Sequence, residues 1–167
     1  MADIVSPKKR SSMMAGIGSK NTKPEIKLRK ALHGAGFRYR LHIKSLPGKP
    51  DLVFPKYKAV IFVNGCFWHG HDCRLFKWPK TRSNFWRHKI EGNIARDKRT
   101  REELLAIGWR VMTIWECTLK GRDKIPQLQY VNEVSEWLRS DTNSLSIPDA
   151  CVQGDKGGHR IAGDTKP

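Results

Sequence analysis

The side chains most capable of chemistry are concentrated in residues 66–73, which read Cys-Phe-Trp-His-Gly-His-Asp-Cys. Thiols and imidazoles are ligands that zinc prefers, and a structural zinc site needs four ligands in a tetrahedron. A short segment can supply three of them while a distant segment supplies the fourth. The sequence therefore predicts a structural zinc bound by Cys66, His71, Cys73 and Cys117. The alternative is that Cys66 and Cys117 are simply buried as small apolar side chains.

His69 is the imidazole that this ligand set leaves free, and Asp51 is the acid best suited to act with it. Asp51 follows Pro50 at the head of an apolar run, as in the first half of a PD-(D/E)xK nuclease core, where an acid binds magnesium. The next strand of that core supplies a second acid and a lysine, but positions 63–65 here are Val, Asn and Gly. The backbone carbonyl of Val63 could still bind a hard cation, and His69 could accept a proton in place of the lysine.

Two further acids, Glu25 and Asp97, have ordinary explanations on sequence alone. Residues 22–25 read Thr-Lys-Pro-Glu, the spacing of a capping box in which the acid caps the start of a helix. Asp97 lies among basic residues of a predicted helix, where local ion pairs on a solvated face are common. The sequence assigns no role to three other histidines, His33, His42 and His88.

Three large aromatic side chains are candidates for contact with a partner. Phe67 and Trp68 are adjacent in a short segment, so both cannot pack easily against the same core face. Trp86 follows Phe85, which is the better candidate for the core. In a strongly basic protein, exposed aromatic side chains can stack on bases or wedge between them. Core packing is the alternative for each of the three.

The charge of the chain points to a polyanionic partner. The formal net charge is +16, from 32 Lys and Arg against 16 Asp and Glu, and residues 1–50 hold 12 basic and 2 acidic side chains. Such a one-sided field favours nucleic acid, since no long basic amphipathic helix favours a membrane surface. Signal-peptide and membrane-spanning runs are absent from the sequence, so we expect a cytoplasmic protein. In that compartment four cysteines are better explained as metal ligands than as disulfides.

The elements that must position these residues are predicted to form one α/β domain over residues 21–140. Apolar side chains at helical spacing alternate along the chain with short β-rich runs, and one long helix precedes the last strand. That order gives a mixed central sheet flanked by helices, in which the second and third strands form a hairpin. The expected helices start at Thr22, Ser83 and Pro126, and the expected strands cover 39–43, 51–54, 59–63 and 109–116.

The two ends of the chain lack this pattern. Residues 1–20 combine Lys and Arg with Ser, Gly and Met, and we expect a mobile basic arm. Residues 141–167 lose apolar periodicity and gain Gly, Asp, Ser and Pro, so a disordered tail is expected there.

Over residues 8–140 these segments together resemble the very-short-patch repair (Vsr) DNA mismatch endonucleases. The most specific of them is Gly-Cys-Phe-Trp-His at 65–69, which is close to diagnostic. Another is the turn Ser-Leu-Pro-Gly-Lys-Pro-Asp at 45–51. The remaining matches lie at 22–25, 60–73, 76–82, 85–90, 93–97 and 108–117.

The resemblance implies a restriction-endonuclease-like fold with a structural zinc and a catalytic magnesium. Such enzymes nick one strand on the 5′ side of the T in T·G mispairs, which arise when 5-methylcytosine deaminates. By position, Asp51 and the Val63 carbonyl would bind magnesium. His69 would be the general base for attack by a magnesium-activated water, with Glu25 and Asp97 supporting the site.

The resemblance also assigns the metal ligands and the DNA contacts. The zinc ligands would be the same four residues, Cys66, His71, Cys73 and Cys117. The residues that wedge into DNA would be Phe67, Trp68 and Trp86. The mispair itself would be contacted by Lys89 and Asn93.

One position departs from the family, and two other functions share many of these features. Asn64 is His in some members, so no catalytic role is assigned to it. A restriction endonuclease that cuts both strands would share the fold, and a non-catalytic zinc-stabilised DNA-binding module would share the charge, zinc ligands and aromatics. The resemblance further implies a monomer in the bacterial cytoplasm, on the nucleoid when bound. Its partners would be double-stranded DNA with a T·G mispair, mismatch-repair proteins and a repair polymerase.

Overall fold

A computed structural model gives the fold and describes residues 6–16, 18 and 20–148. Within this part of the chain, four strands form one sheet in the order β1-β2-β3-β4, with helices packed on its faces. The strands are β1 (Leu52–Phe54), β2 (Ala59–Asn64), β3 (Arg110–Trp115) and β4 (Ser144–Ile147). The helices are α1 (Pro7–Ala15), α2 (Lys23–Gly34), α3 (Ser83–Ala106), α4 (Glu116–Leu119) and α5 (Gln127–Arg139), with a 3-10 turn at Pro55–Tyr57.

The sheet is mixed, as predicted. β1 and β2 form the predicted antiparallel hairpin, in which Phe54 lies opposite Ala59 and Lys58 turns the chain with a φ of 46°. β3 runs parallel to β2, because α3 carries the chain back along the sheet before β3 begins. β4 in turn runs parallel to β3. The carboxyl ends of β2, β3 and β4 therefore share one edge of the sheet, and β1 starts at the same edge.

Alternating side chains of the strands build a core on each face of the sheet. Leu52 and Phe54 pack on one face with residues of α2 and α5. Val53, between them, packs on the other face with Leu104 of α3. Both faces are covered by helices, so the α/β class predicted from the sequence is confirmed.

The three longest helices lie where the sequence predicts them. Thr22 caps α2 by accepting a hydrogen bond from the Glu25 backbone N–H, and a proline lies in the first turn. α3 ends shortly before Gly108, whose φ of 80° does not continue a helix. Among the helices of the described residues, none has both the length and the apolar content needed to cross a bilayer.

The strand predicted at 39–43 is wrong. Within that segment Arg40 pairs with Val53 through two backbone hydrogen bonds of 2.8 Å, and the pairing goes no further. His42 has a φ of 48°, and a left-handed residue ends an extended run. The segment instead turns away from the sheet and carries His42 towards the start of β1.

Both predicted ends contain regular structure within the described residues. Part of the arm forms α1, and part of the tail forms β4, which extends the sheet beside β3. The Ile147 side chain is 1% exposed, and its carbonyl accepts a hydrogen bond from the Thr118 hydroxyl at 2.8 Å. A strand with only two apolar residues is too short for its alternation to stand out in the sequence. The rest of these predictions, on 1–5, 17, 19 and 149–167, lies outside the described residues.

Candidate active site and metal centre

The edge of the sheet where β2 and β3 end collects most of the predicted site residues. Asp51 lies directly before β1 and, because the hairpin is antiparallel, beside the end of β2. Residues 66–73 follow β2, while Cys117 lies in α4, which follows β3 directly. Parallel neighbours end at the same edge, so the loop and α4 lie side by side.

The four predicted zinc ligands are brought together. Cys66, His71, Cys73 and Cys117 each place a ligand atom within 4.8 Å of the others. The Cys117 Sγ and His71 Nδ1 atoms are 3.6 Å apart. In a tetrahedral zinc site with ordinary Zn–S and Zn–N bond lengths, a sulfur and a nitrogen ligand are about 3.6 Å apart. The group therefore has the composition and spacing of a closed tetrahedral metal site.

The protonation chemistry of the thiols also suits a metal. A hydrogen bond with Cys117, together with burial, raises the pKa of Cys66 to about 12. Burial is the main cause that raises the pKa of Cys73. Burial disfavours the charged thiolate, so these thiols resist ionisation on their own. A cation at their centre would stabilise the thiolate, which is the form that binds metals.

Contacts around the ligands fix the loop that carries them. The His71 ring stacks on Trp115 with centroids 4.2 Å apart and planes 9° from parallel. The Cys66 backbone N–H donates to the Glu116 carboxylate at 3.2 Å. Gly70 has a φ of 62° and lies so close to α3 that a Cβ there would come within 2.9 Å of Ile90. A rigid loop results, and His69 lies on it.

Asp51 is a buried carboxyl group with one strong backbone hydrogen bond. Its Oδ2 atom accepts from the Val63 N–H at 2.7 Å, which ties it to the end of β2. Burial raises the pKa of Asp51 to about 7, although this hydrogen bond and the charges of Arg29 and His69 act in the opposite direction. A carboxylate that is costly to ionise alone gains much from a nearby cation. Asp51 is therefore suited to hold a hard cation at this edge.

Glu25 has the capping role that the sequence indicates and also lies next to Asp51. Its Oε1 atom accepts from the Thr22 hydroxyl at 3.1 Å, and its Oε2 atom accepts from the Asn21 backbone N–H at 2.9 Å. Arg29 Nη2 donates to the same Oε2 atom at 2.7 Å. The charge of Glu25 is near enough to contribute to the raised pKa of Asp51. Its carboxylate is thus satisfied at the start of α2, while its charge acts on Asp51.

His42 is the site residue that the sequence analysis misses. It completes an acidic group with Glu25 and Asp51 whose ligand atoms all lie within 4.8 Å of one another. Its Nδ1 atom is 3.8 Å from Asp51 Oδ1, and its Nε2 atom is 3.9 Å from Glu25 Oε2. The strand predicted at 39–43 gave the wrong direction for this side chain. Because His42 has a left-handed φ, its side chain does not follow the alternation of a regular strand. The sequence around His42 contains no pattern that marks the end of the extended segment or the turn, so it does not indicate that His42 lies in the site.

His69 is held by Asp97, which α3 brings to the loop. The His69 Nδ1 and Asp97 Oδ2 atoms are 2.5 Å apart. A carboxylate accepts hydrogen bonds, so the ring proton lies on Nδ1 and the lone pair of Nε2 is available for a proton. The ring and the carboxylate are about a quarter and a third exposed, in a cleft that Asn64 and Trp115 also line. Asp97 therefore does more than occupy a solvated helical face.

The three predicted wedge residues form one half-buried aromatic cluster between the loop and α3. The Phe67 ring centroid is 5.3 Å from those of Trp68 and Trp86, which are 5.9 Å from each other. The Lys89 ammonium group lies 5.4 Å from the Trp68 ring centroid. The Asn93 side-chain amide donates to the Trp68 backbone carbonyl at 2.8 Å. Lys89 and Asn93 are thus in contact with the aromatic cluster before any partner binds.

A buried acid and an imidazole oriented by a second acid lie at the same edge of the sheet, and such groups are typical of phosphodiester hydrolases. The sequence comparisons agree with that class. A family profile described as DNA mismatch endonuclease Vsr matches residues 2–75. The DNA mismatch endonuclease Vsr of Escherichia coli strain K12 is 42% identical over 147 residues, which cover 88% of this chain and 94% of that protein. The chain therefore belongs to the Vsr family of DNA mismatch endonucleases, as the resemblance predicts.

Two further relatives are described as nicking enzymes. The type II nicking enzyme V.XorIIP of Xanthomonas oryzae pv. oryzae is 52% identical over 119 residues, covering 71% of this chain and 88% of that protein. The type II nicking enzyme V.NmeAIP of Neisseria meningitidis serogroup A is 48% identical over 122 residues, covering 73% and 87%. The protein is accordingly a DNA endonuclease of mismatch repair, and DNA is its partner.

Proposed function

We propose that the protein nicks one strand of duplex DNA on the 5′ side of the T in a T·G mispair. Such mispairs arise from deaminated 5-methylcytosine, and the nick would start very-short-patch repair. The observation that carries the proposal is the joint placement of Asp51, tied to Val63, and His69, tied to Asp97, at one sheet edge. Membership of the Vsr family supports it, as does a mixed sheet of the kind expected for a restriction-endonuclease-like fold.

The Asp51 carboxylate and the Val63 backbone carbonyl would hold a divalent cation, and oxygen ligands of this kind suit magnesium. When bound, magnesium neutralises charge on the phosphate and lowers the pKa of a nearby water. His69 Nε2 takes the proton of the attacking water, because Nδ1 already donates to Asp97. Asp97 holds the ring in that tautomer and stabilises the imidazolium that forms.

The sulfur-rich site serves structure rather than chemistry in this proposal. Its four protein ligands would fill the coordination shell of zinc and leave no position for water or substrate. Cys66 and Cys117 connect the loop after β2 to α4, so zinc would fix the loop that carries His69. The same loop carries Phe67 and Trp68. Zinc would therefore also fix the position of the general base, His69, relative to these two wedge residues.

The aromatic cluster selects the mispair in this proposal. A T·G wobble pair stacks less stably than a Watson–Crick pair, so inserting side chains beside it costs less. Stacking of bases on Phe67, Trp68 and Trp86 returns roughly 1–3 kcal/mol per base. Lys89 lies over the Trp68 ring and Asn93 bonds to the Trp68 backbone carbonyl, and both would contact the displaced mispair.

The proposed setting is the bacterial cytoplasm, where the protein would act as a monomer on nucleoid DNA. Mismatch-repair proteins would recruit it, and a repair polymerase would use the 3′ end that it creates. The bacterial sources of its relatives support this setting. The net charge of +16 supports direct attraction to the DNA backbone.

The test is a strand-resolved nicking assay on a duplex with one T·G mispair and on its fully paired twin, each with and without magnesium. We expect a single cut, 5′ of the mispaired T, on the mismatched duplex with magnesium. Cleavage of both strands of the paired duplex would indicate a restriction-type endonuclease instead. Binding without any cleavage would indicate a DNA-binding module, and either result would contradict the proposal.

A further inference from the structure

Arg29, His42 and Asp51 form a continuous line of polar contacts beside the proposed magnesium site. Arg29 Nη2 lies 2.9 Å from His42 Nε2, and His42 Nδ1 lies 3.8 Å from Asp51 Oδ1. All three side chains are 15% exposed or less. Polar groups at this depth are expected to have partners that fix them.

The contact with Arg29 determines which nitrogen of His42 carries the proton. A guanidinium group only donates hydrogen bonds, so His42 Nε2 must accept and the ring proton lies on Nδ1. Arg29 is itself held in place, because it donates to Glu25 at 2.7 Å and to the Asn21 side chain at 2.6 Å. The ring therefore presents an N–H group to Asp51.

His42 and Val63 share the Asp51 carboxylate between them. Oδ2 accepts the Val63 N–H at 2.7 Å, and Oδ1 faces the His42 N–H at 3.8 Å, an electrostatic contact longer than a hydrogen bond. One donor comes from the sheet and the other from the segment before β1. Acting on different oxygens, they restrict rotation of the carboxylate plane.

The same contacts argue against His42 as a metal ligand. Its Nε2 lone pair faces Arg29, and its Nδ1 atom carries the proton. Glu25 is also engaged by its own donors, so Asp51 has the carboxylate that remains open to a cation. We propose that His42 is a positioning residue, which holds Asp51 in the orientation that binds the divalent cation, with Arg29 fixing its tautomer. The inference rests on the role of Asp51 under the proposed function.

Two substitutions separate positioning of Asp51 from simple packing. In His42→Asn the side-chain amide nitrogen can take the place of Nδ1, so the donor towards Asp51 is kept and the acceptor for Arg29 is lost. In His42→Gln the amide oxygen can take the place of Nε2, so the acceptor is kept and the donor is lost. The left-handed backbone at position 42 also tolerates Asn. His42→Ala removes both groups.

The measurement is the affinity of the zinc-loaded full chain for Mn²⁺ alone, titrated calorimetrically, with thermal melting to show that each variant is folded. We expect Mn²⁺ binding to weaken on the order of tenfold in His42→Ala and His42→Gln, the lower end of the effect of losing a group that orients a metal ligand. His42→Asn should stay within about threefold of the unsubstituted protein, since it retains the partner of the ligand. If His42→Ala does not fold, the Asn and Gln variants still decide the question.

The outcomes distinguish this inference from the proposed function. Wild-type affinity in His42→Gln, or a loss in His42→Asn as large as in His42→Gln, would overturn the positioning role. In either case Asp51→Ala would still lose Mn²⁺ binding. Unchanged Mn²⁺ binding in Asp51→Ala would instead remove the cation site itself, and both the proposed function and the inference would fail.

Discussion

Two groups of ligand-type side chains lie at the same edge of the sheet, and they are built in opposite ways. Three of the four residues of the sulfur-rich group lie within 66–73, and its ligand atoms face one another. The acidic group, Glu25, His42 and Asp51, comes from three separate segments, and its atoms are largely engaged by protein donors. The first group suits a metal that is enclosed. The second leaves the Asp51 carboxylate open to a cation. A metal that takes part in a reaction needs such an open site, because it must also contact the substrate.

The difference explains which group can be read from the sequence. Closely spaced Cys and His residues announce a metal site because few other structures need them together. The acidic group depends on a helix cap, a hairpin and a left-handed turn at His42, none of which marks a cation site by itself. The sulfur-rich group can thus be recognised from one short segment of the sequence. The acidic group can be recognised only once the fold has brought its three segments together.

After Asp51, the largest effect is expected from His69, which lies on the sulfur-rich loop and is the proposed general base. His69→Ala should slow single-turnover nicking by roughly 10²–10⁴-fold, the usual contribution of a general base. Binding of mismatched duplex should change little. His33→Ala, which removes an exposed histidine of α2, is the matched control and should nick normally. A variant of His69 that bound poorly but nicked normally at saturation would show a DNA-contact role instead.

Removing one sulfur ligand should affect stability before it affects chemistry. Cys117→Ser removes one of the four proposed zinc ligands and should therefore weaken zinc binding. Stability should fall as a result, because metal binding energy contributes directly to folding. Each 1 kcal/mol lost from the free energy of unfolding lowers the melting temperature of a chain of this size by roughly 2–4 °C, so a fall of several degrees is expected. Cys151→Ser, which lies outside the ligand set, should keep one zinc per chain and melt normally. Soluble, active wild-type protein without zinc in metal analysis would contradict this assignment.

The aromatic cluster should matter for the mispair more than for DNA in general. Phe67→Ala with Trp68→Ala should reduce nicking at T·G about 10- to 100-fold, as expected from the loss of roughly 1–3 kcal/mol of stacking per base. Salt-sensitive binding to paired duplex should fall far less, because it depends on the basic surface. Trp78→Ala provides a control, since Trp78 is an exposed aromatic side chain outside the proposed wedge. Equal losses in both assays would mean that the cluster only supports the fold.

The smallest expected effect comes from shortening the carboxyl end at two points. Deleting 149–167 should leave the melting temperature and nicking nearly unchanged, because that stretch lacks apolar periodicity. Deleting 142–167 also removes β4, and with it the burial of Ile147, which contributes about 2 kcal/mol. From the sequence alone, neither deletion is expected to lower stability. The pairing of β4 with β3 changes that expectation for the deletion of 142–167. Equal melting temperatures for the two truncations would show that β4 adds nothing to the sheet.

Local patterns predict much of this fold, and tertiary contacts explain what they miss. The Thr22 cap, the start of α3 at Ser83, the hairpin and β3 follow from spacing and periodicity. His42 could not be found because its backbone angle is set by the turn that follows it. β4 could not be found because a short strand is stabilised by its neighbour β3 rather than by its own sequence. The sequence alone indicates a surface acid at Asp97, because only the packing of α3 against the loop brings Asp97 to His69.

Asp51 is expected to hold the cation that the reaction needs, whereas the sulfur-rich group is expected to hold a metal that takes no part in the chemistry. The most direct test is single-turnover nicking of a labelled T·G duplex by Asp51→Ala at saturating protein and magnesium, with zinc content measured on the same sample. The account predicts no magnesium-dependent nick, one zinc per chain, and duplex binding as tight as wild type or tighter, because a negative charge near the phosphate is removed. Appreciable magnesium-dependent nicking by Asp51→Ala would contradict it.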